Sequence, residues 1–151
     1  MTHQAFDPRE YRKTLGRFAT GVTIVTVLEN GKLHGMTANA FVSVSLDPPL
    51  VLVSLDNRSH MRRILSAGGI YGVSVLAERQ RALSDHFAGR PVQGVQVQFV
   101  NRAGATLVDG AIAYFAVRVK EMHLAGDHTL YVGNVEYFSH REDKQIGRAH
   151  V

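Results

Sequence analysis

The chain has 151 residues, 45% of them hydrophobic and 20% charged, values of one globular domain with its own core rather than a disordered or fibrous chain. It has no cysteine, which excludes a disulfide scaffold, a thiolate zinc site, an iron–sulfur cluster and a cysteine nucleophile, and suits a reducing cytoplasm. The net charge of +4 comes from basic residues scattered along the chain, so a small anionic molecule is a more economical partner than nucleic acid.

The opening MTHQAFDPREYRK lacks an apolar signal core, and no apolar run approaches a membrane span, so a soluble, unexported protein is expected. Asp7-Pro8-Arg9-Glu10 reads as a helix start, with Asp7 as N-cap and Pro8 at the first helical position. Tyr11, Leu15 and Phe18 then fall on one face, through which a short helix is expected to pack on the body. Residues 21–27 are strand-like, and Glu29-Asn30-Gly31 carries the signal of a tight hairpin turn.

Residues 35–61 are the stretch around which the rest is organised. Read as one strand, they put Thr37, Asn39, Phe41, Ser43 and Ser45 in one row and Met36, Ala38, Ala40, Val42 and Val44 in the other. The first row is a polar ladder with one aromatic, suited to a flat, heteroatom-rich molecule with a polar tail. Pro48 and Pro49 interrupt the ladder, and residues 50–55 resume it as a buried strand. Asn57 and Ser59 are candidate caps of a helix over 60–67, whose start could receive a phosphate; ordinary strand and capping chemistry explains the same residues.

Residues 70–76 are a further strand, with Gly72 admitting a close backbone approach, and 78–87 read as a helix ending near Gly89. Residues 90–106 read as a long surface loop with a short strand near 95–100. A turn at Asp109-Gly110 leads into a strand over 111–124, paired across Ala125-Gly126-Asp127 with a last strand over 128–138. The pattern is mainly β: an antiparallel barrel with short flanking helices.

Eight histidines invite a metal, but no HExxH or Cys/His spacing exists, so no metal site is expected. GxGxxG after a strand, the P-loop, a nucleophile elbow and a convergent carboxylate pair are also missing. Asp127 beside His128 is one acid–imidazole pair at a turn, which a solvated hairpin tip explains as well.

The runs TANAFVSVSLDPPLVLVSLDNRS, GRFATGVTIVT and AGDHTLYVGNV, in that spacing, resemble the flavin reductase-like family with the FMN-binding split-barrel fold of Greek-key type, over residues 16–138. The tail SHREDKQIGRAHV departs from the family's usual apolar strand and basic, aromatic ending. The resemblance implies an NAD(P)H-dependent flavin reductase that passes hydride from NADH or NADPH to FMN or FAD and supplies reduced flavin to a partner monooxygenase. It implies Thr37, Ala38 and Asn39 along the isoalloxazine and ribityl chain, and Ser43 beside them on the ladder. Ser54, Asn57, Arg58 and Ser59 would then hold the ribityl and phosphate end, with Phe87 near the flavin or simply in the core. Gly126, Asp127 and His128 would form the nicotinamide side, His128 orienting the ring and Asp127 fixing the imidazole tautomer. It further implies a homodimer, with residues 111–124 or 90–106 reaching the partner's site. A flavin-binding electron carrier without nicotinamide turnover, and a basic barrel without redox chemistry, are the competing readings.

Overall fold

The computed structural model describes residues 6–18, 20–38 and 40–142. Helix α1, Pro8–Leu15, begins where expected: Asp7 Oδ1 accepts the Arg9 N–H at 2.9 Å, and proline needs no partner for its first-turn nitrogen. Its apolar row does not pack on the body as expected. No α1 residue is buried, and Tyr11 and Leu15 are each 51% exposed. Two apolar side chains on eight residues bury too little area to hold a helix against the sheet.

Strands β1, Thr23–Glu29, and β2, Lys32–Ala38, form the expected hairpin. Asn30 and Gly31 both take positive φ, 50° and 78°, the pair of left-handed residues that a type I′ turn requires. β3, Phe41–Leu46, and β4, Pro49–Asp56, form a second hairpin. β5, Ile70–Val75, and the long strands β8, Ala113–Ala125, and β9, His128–His140, complete the sheet. Among the described residues its order is β2-β1-β5-β8-β9-β4-β3, antiparallel throughout, and it stays open between β2 and β3, as in a split barrel.

The polar ladder is therefore not one strand. The chain leaves β2 at one edge of the sheet and re-enters at the other edge as β3, and the phase inverts on the way. On β2 the even residues Met36 and Ala38 face the main core; on β3 it is odd Phe41, whose ring lies 5.1 Å from that of Phe115. A single row from Thr37 to Ser45 does not exist, because the alternation restarts after the crossing.

The main core gathers Val25, Val27, Val53, Leu55, Val73 and Tyr131, closed at one end by Met61 and Leu65. The first of these two belongs to α2, His60–Ile64, which stops three residues earlier than the expected 60–67. A second cluster, Ile24, Val22, Leu76 and Val108, lies beneath helix α3, Arg81–Phe87, which follows a 3-10 turn at Glu78–Gln80 rather than forming one helix with it. β1 is thus buried on both faces, which explains its TIVTV composition.

The segment expected as a loop holds a hairpin, β6, Phe99–Arg102, and β7, Ala105–Val108. β7 lies over the sheet because Gly72 has no side chain: a Cβ there would sit 2.6 Å from Thr26 Oγ1 and 2.8 Å from the Thr106 carbonyl oxygen. Thr26 Oγ1 donates to that same carbonyl. Gly72 admits the close approach read from the sequence.

Candidate active site

The register of β4 against β9 pairs Asp56 with His128, so the residues that leave β4 and the turn that enters β9 must share one rim of the barrel. Asn57 ties them together. Its backbone N–H donates to the Asp127 carbonyl at 2.9 Å and its Nδ2 to the Gly126 carbonyl at 3.3 Å, while its Oδ1 accepts from Thr129 Oγ1 at 2.6 Å. Thr129 is buried, and its hydroxyl also accepts from Arg62 Nε at 2.8 Å. Gly126 takes φ +63°, a left-handed conformation that glycine adopts without strain.

Charge is organised by Asp56. Its carboxylate accepts the Arg58 backbone N–H at 2.8 Å, Nε at 3.2 Å and Nη2 at 3.1 Å. The side-chain bonds from Arg58, followed by its backbone N–H, hold the Asp56 carboxyl at about 2, well below the usual carboxylate range. Arg58 is raised in turn by that carboxylate, and its side chain is 87% exposed, so a cation is fixed at the rim and open to solvent.

Ser59 caps α2: its hydroxyl donates to the Asp56 carbonyl at 2.8 Å and accepts the Arg62 N–H at 3.2 Å. Asn57 is not the cap. α2 has five residues, too few for its dipole to matter, so the positive charge at the rim comes from the Arg58 and Arg62 side chains. Across the turn, His128 Nδ1 lies 2.8 Å from Asp127 Oδ1. An ionised carboxylate only accepts, so Nδ1 donates and the Nε2 of a neutral ring is left as an acceptor.

The other sequence-predicted residues stand elsewhere. Thr37 Oγ1 donates to the Ser84 carbonyl at 2.7 Å beneath α3, and Ala38 is buried with its carbonyl accepting from Thr23 Oγ1. Phe87 packs on β2, where a Cβ on Gly35 would meet its Cε1 at 2.6 Å, and against the second core cluster. Ser43 is exposed on the edge strand β3, beside the bulge that precedes Ser45. Ser54 sits on β4 opposite Leu130, two residues above Asp56 in the same row, and its N–H donates to the Ala40 carbonyl. Asn39 lies outside the described residues.

The structure thus brings together Asn57, Arg58, Ser59, Gly126, Asp127 and His128, with Ser54 close by along β4. It adds Asp56, Arg62 and Thr129, of which Asp56 was legible as an acid two residues before an arginine. At the opposite end of β9 a cleft of about 320 Å³ is floored by Phe41 and Phe115 and rimmed by Thr20, Thr23, His140 and Arg141.

Residues 15–148 match the family model described as flavin reductase like domain. An NADH-dependent flavin reductase of Rhodococcus sp is 53% identical over 132 residues, covering 85% of this chain and 75% of that protein. The reductase component of a 4-hydroxyphenylacetate 3-monooxygenase from Thermus thermophilus is 40% identical over 126 residues, 83% of this chain and 80% of that one. Among solved structures, the flavin reductase PheA2 in its native state superposes with a TM-score of 0.88 at 41% identity, over 94% of this chain and 93% of the other.

Proposed function

Since the chain belongs to the flavin reductase-like family, we propose that it is an NADH-dependent flavin reductase that delivers reduced flavin to a separate monooxygenase. The observation that carries the site assignment is the union of the two family motifs at one rim, Asn57-Arg58-Ser59 bonded to Gly126-Asp127-His128. The donor set suits a flavin nucleotide: an exposed, carboxylate-anchored guanidinium for the phosphate and a half-exposed imidazole for a neutral polar group.

When bound, the flavin supplies the chemistry by accepting a hydride from reduced nicotinamide, so the protein needs no nucleophile. Arg58 holds the phosphate, and Asp56 keeps its guanidinium aimed at the rim rather than free to sample solvent. Ser54 offers a hydroxyl to the ribityl chain. The Thr37 hydroxyl is committed to the Ser84 carbonyl and is not part of this rim. His128 orients the nicotinamide carboxamide through Nε2, in the tautomer Asp127 selects. Holding two rings at near-attack distance replaces a bimolecular encounter with a local one.

We assign the protein to the cytoplasm on its lack of cysteine, and to a homodimer on edge strand β3, where Val42, Val44 and Leu46 are 52%, 49% and 90% exposed. A dimer in sedimentation that dissociates in Val42→Glu/Val44→Glu supports that assembly; a monomeric wild type removes it.

The deciding experiment follows NADH and NADPH oxidation with FMN, FAD and riboflavin, then stopped-flow reduction of His128→Ala at saturating flavin. Loss of one positioning hydrogen bond is worth roughly 0.5–1.5 kcal/mol, up to about tenfold in rate. Absence of oxidation with every flavin excludes the reductase and leaves the electron carrier. A wild-type rate in His128→Ala at every NADH concentration removes that residue from the site.

A further inference from the structure

Three ligand-bearing side chains from three elements converge where the β1–β2 hairpin meets α2. Glu29 closes β1, His34 lies on β2 opposite Val27, and His60 is the first residue of α2. Glu29 Oε1 lies 3.5 Å from His34 Nε2 and 3.7 Å from His60 Nε2, and one ligand atom from each of the three residues falls within 4.8 Å of the other two. No sequence spacing announces the set, because the hairpin and the helix start, not a single helix face, bring the residues together.

We propose that Glu29, His34 and His60 form a binding site for a divalent transition metal of the zinc type. In a tetrahedral zinc site with bonds of about 2.0–2.2 Å, ligand atoms stand roughly 3.4 Å apart. Two of the three edges already have nearly that length. Only the histidine–histidine edge must adjust, and the two rings are 4.4 Å apart between centroids at an interplanar angle of 51°, so neither blocks the other. Two imidazoles and one carboxylate are the borderline ligands zinc, cobalt and nickel share. His34 is largely shielded, whereas the Glu29 and His60 side chains are 40% and 46% exposed, so the fourth position opens to water.

The scaffold is fixed before the ion arrives. Ser59 caps α2 and Met61 is buried in the main core, which sets His60; the hairpin ladder sets Glu29 and His34. One neighbour opposes the ion: Arg63 Nη2 lies 3.3 Å from His60 Nδ1. With the metal on Nε2, the proton of His60 resides on Nδ1, and the exposed Arg63 side chain must turn away. Lys32, the cross-strand partner of Glu29, is the other nearby cation. A bound ion staples the hairpin to the segment that follows Ser59, at the edge of the flavin rim.

The test uses the full chain, stripped with a chelator and titrated with Co²⁺ and then Zn²⁺ by absorbance and calorimetry. One ion per chain, a tetrahedral cobalt spectrum displaced by zinc, and at least about tenfold weaker binding in Glu29→Gln, His34→Gln and His60→Gln support the site. His123→Gln, at a separate exposed Glu–His pair on β8, keeps wild-type affinity. Arg63→Ala leaves all three ligands in place and binds at least about threefold tighter, which keeps the test decisive if a ligand variant fails to fold. Wild-type protein that takes up no metal at about 100 µM, or ligand variants that bind as well as wild type, overturn the proposal, as does unchanged affinity in Arg63→Ala.

Discussion

Replacing Asn57 with alanine tests whether one side chain holds the rim together. The substitution removes the donation of Nδ2 to Gly126 at 3.3 Å and takes away the acceptor of Thr129 Oγ1 at 2.6 Å. The first bond is partly solvated and contributes roughly 0.5 kcal/mol, at the low end for a hydrogen bond. The second matters more, because Thr129 is 1% exposed and its O–H is left without an acceptor, for a further cost of about 1–3 kcal/mol. The expected loss is about 1.5–3.5 kcal/mol. With a urea slope of about 2 kcal/mol per molar, the midpoint falls by roughly 0.75–1.75 M at unchanged slope. Thr129→Val in the same background removes the stranded hydroxyl but also the acceptor of Arg62 Nε, so the two substitutions are non-additive, with a coupling of at least about 1 kcal/mol in the double-mutant cycle. A midpoint within about 0.25 M of wild type, or additive effects, refutes the assignment of Asn57 as the tie.

Arg58→Gln removes the largest cause of the low Asp56 value, so the Asp56 titration followed by carbon NMR moves from about 2 back toward 3.8; an unmoved midpoint breaks the pairing. Because the folded value lies below the unfolded one, the pair favours the fold above about pH 4, and its contribution is lost as pH falls through about 2. Gly72→Ala forces a methyl into the 2.6–2.8 Å space beside Thr26, Leu107 and Thr106, and is expected to destabilise by about 1–3 kcal/mol in thermal or urea melts. Tyr71 is fully buried, its hydroxyl has no hydrogen-bond partner among the described residues and burial pushes its pKa upward, so Tyr71→Phe is expected to raise stability by about 1 kcal/mol; a clear loss would reveal a partner.

Local chemistry was legible in the sequence where one residue type decides a conformation. Asn30-Gly31 announced its turn because asparagine and glycine tolerate positive φ, whereas Ala103-Gly104, φ 49° and 82°, makes the same kind of turn between β6 and β7 with an alanine that signals nothing. The sequence therefore reads there as a loop with only a short strand near 95–100, and the hairpin partner β7 goes unsignalled. The ladder from Thr37 to Ser45 reads as one strand because its alternation continues smoothly across the crossing, although the chain changes sheet edge and phase there. At the site, Ser59 could be read as a cap and Gly126-Asp127-His128 as a turn. What joins them is the register of β4 on β9, a pairing no local window contains. Arg62 and Thr129 take their roles from that pairing alone.

The bond between Asn57 and Thr129 spans 72 positions in the chain, and this separation orders events during biosynthesis. The β1–β2 and β3–β4 hairpins can close as soon as each is synthesised, since their ends are near neighbours. β4 must wait for β9. Closing so long a segment carries roughly 2–3 kcal/mol more entropy loss than closing a tight hairpin, and such non-local pairing slows folding. Until then β4 has an open edge on the side that β9 will cover, exposing a Leu-Val-Leu-Val-Ser-Leu run to other nascent chains. The candidate rim therefore forms only when β9 arrives, and a ribosome that stalls before β9 releases a chain with the β1–β2, β3–β4 and β6–β7 hairpins formed and that rim unassembled.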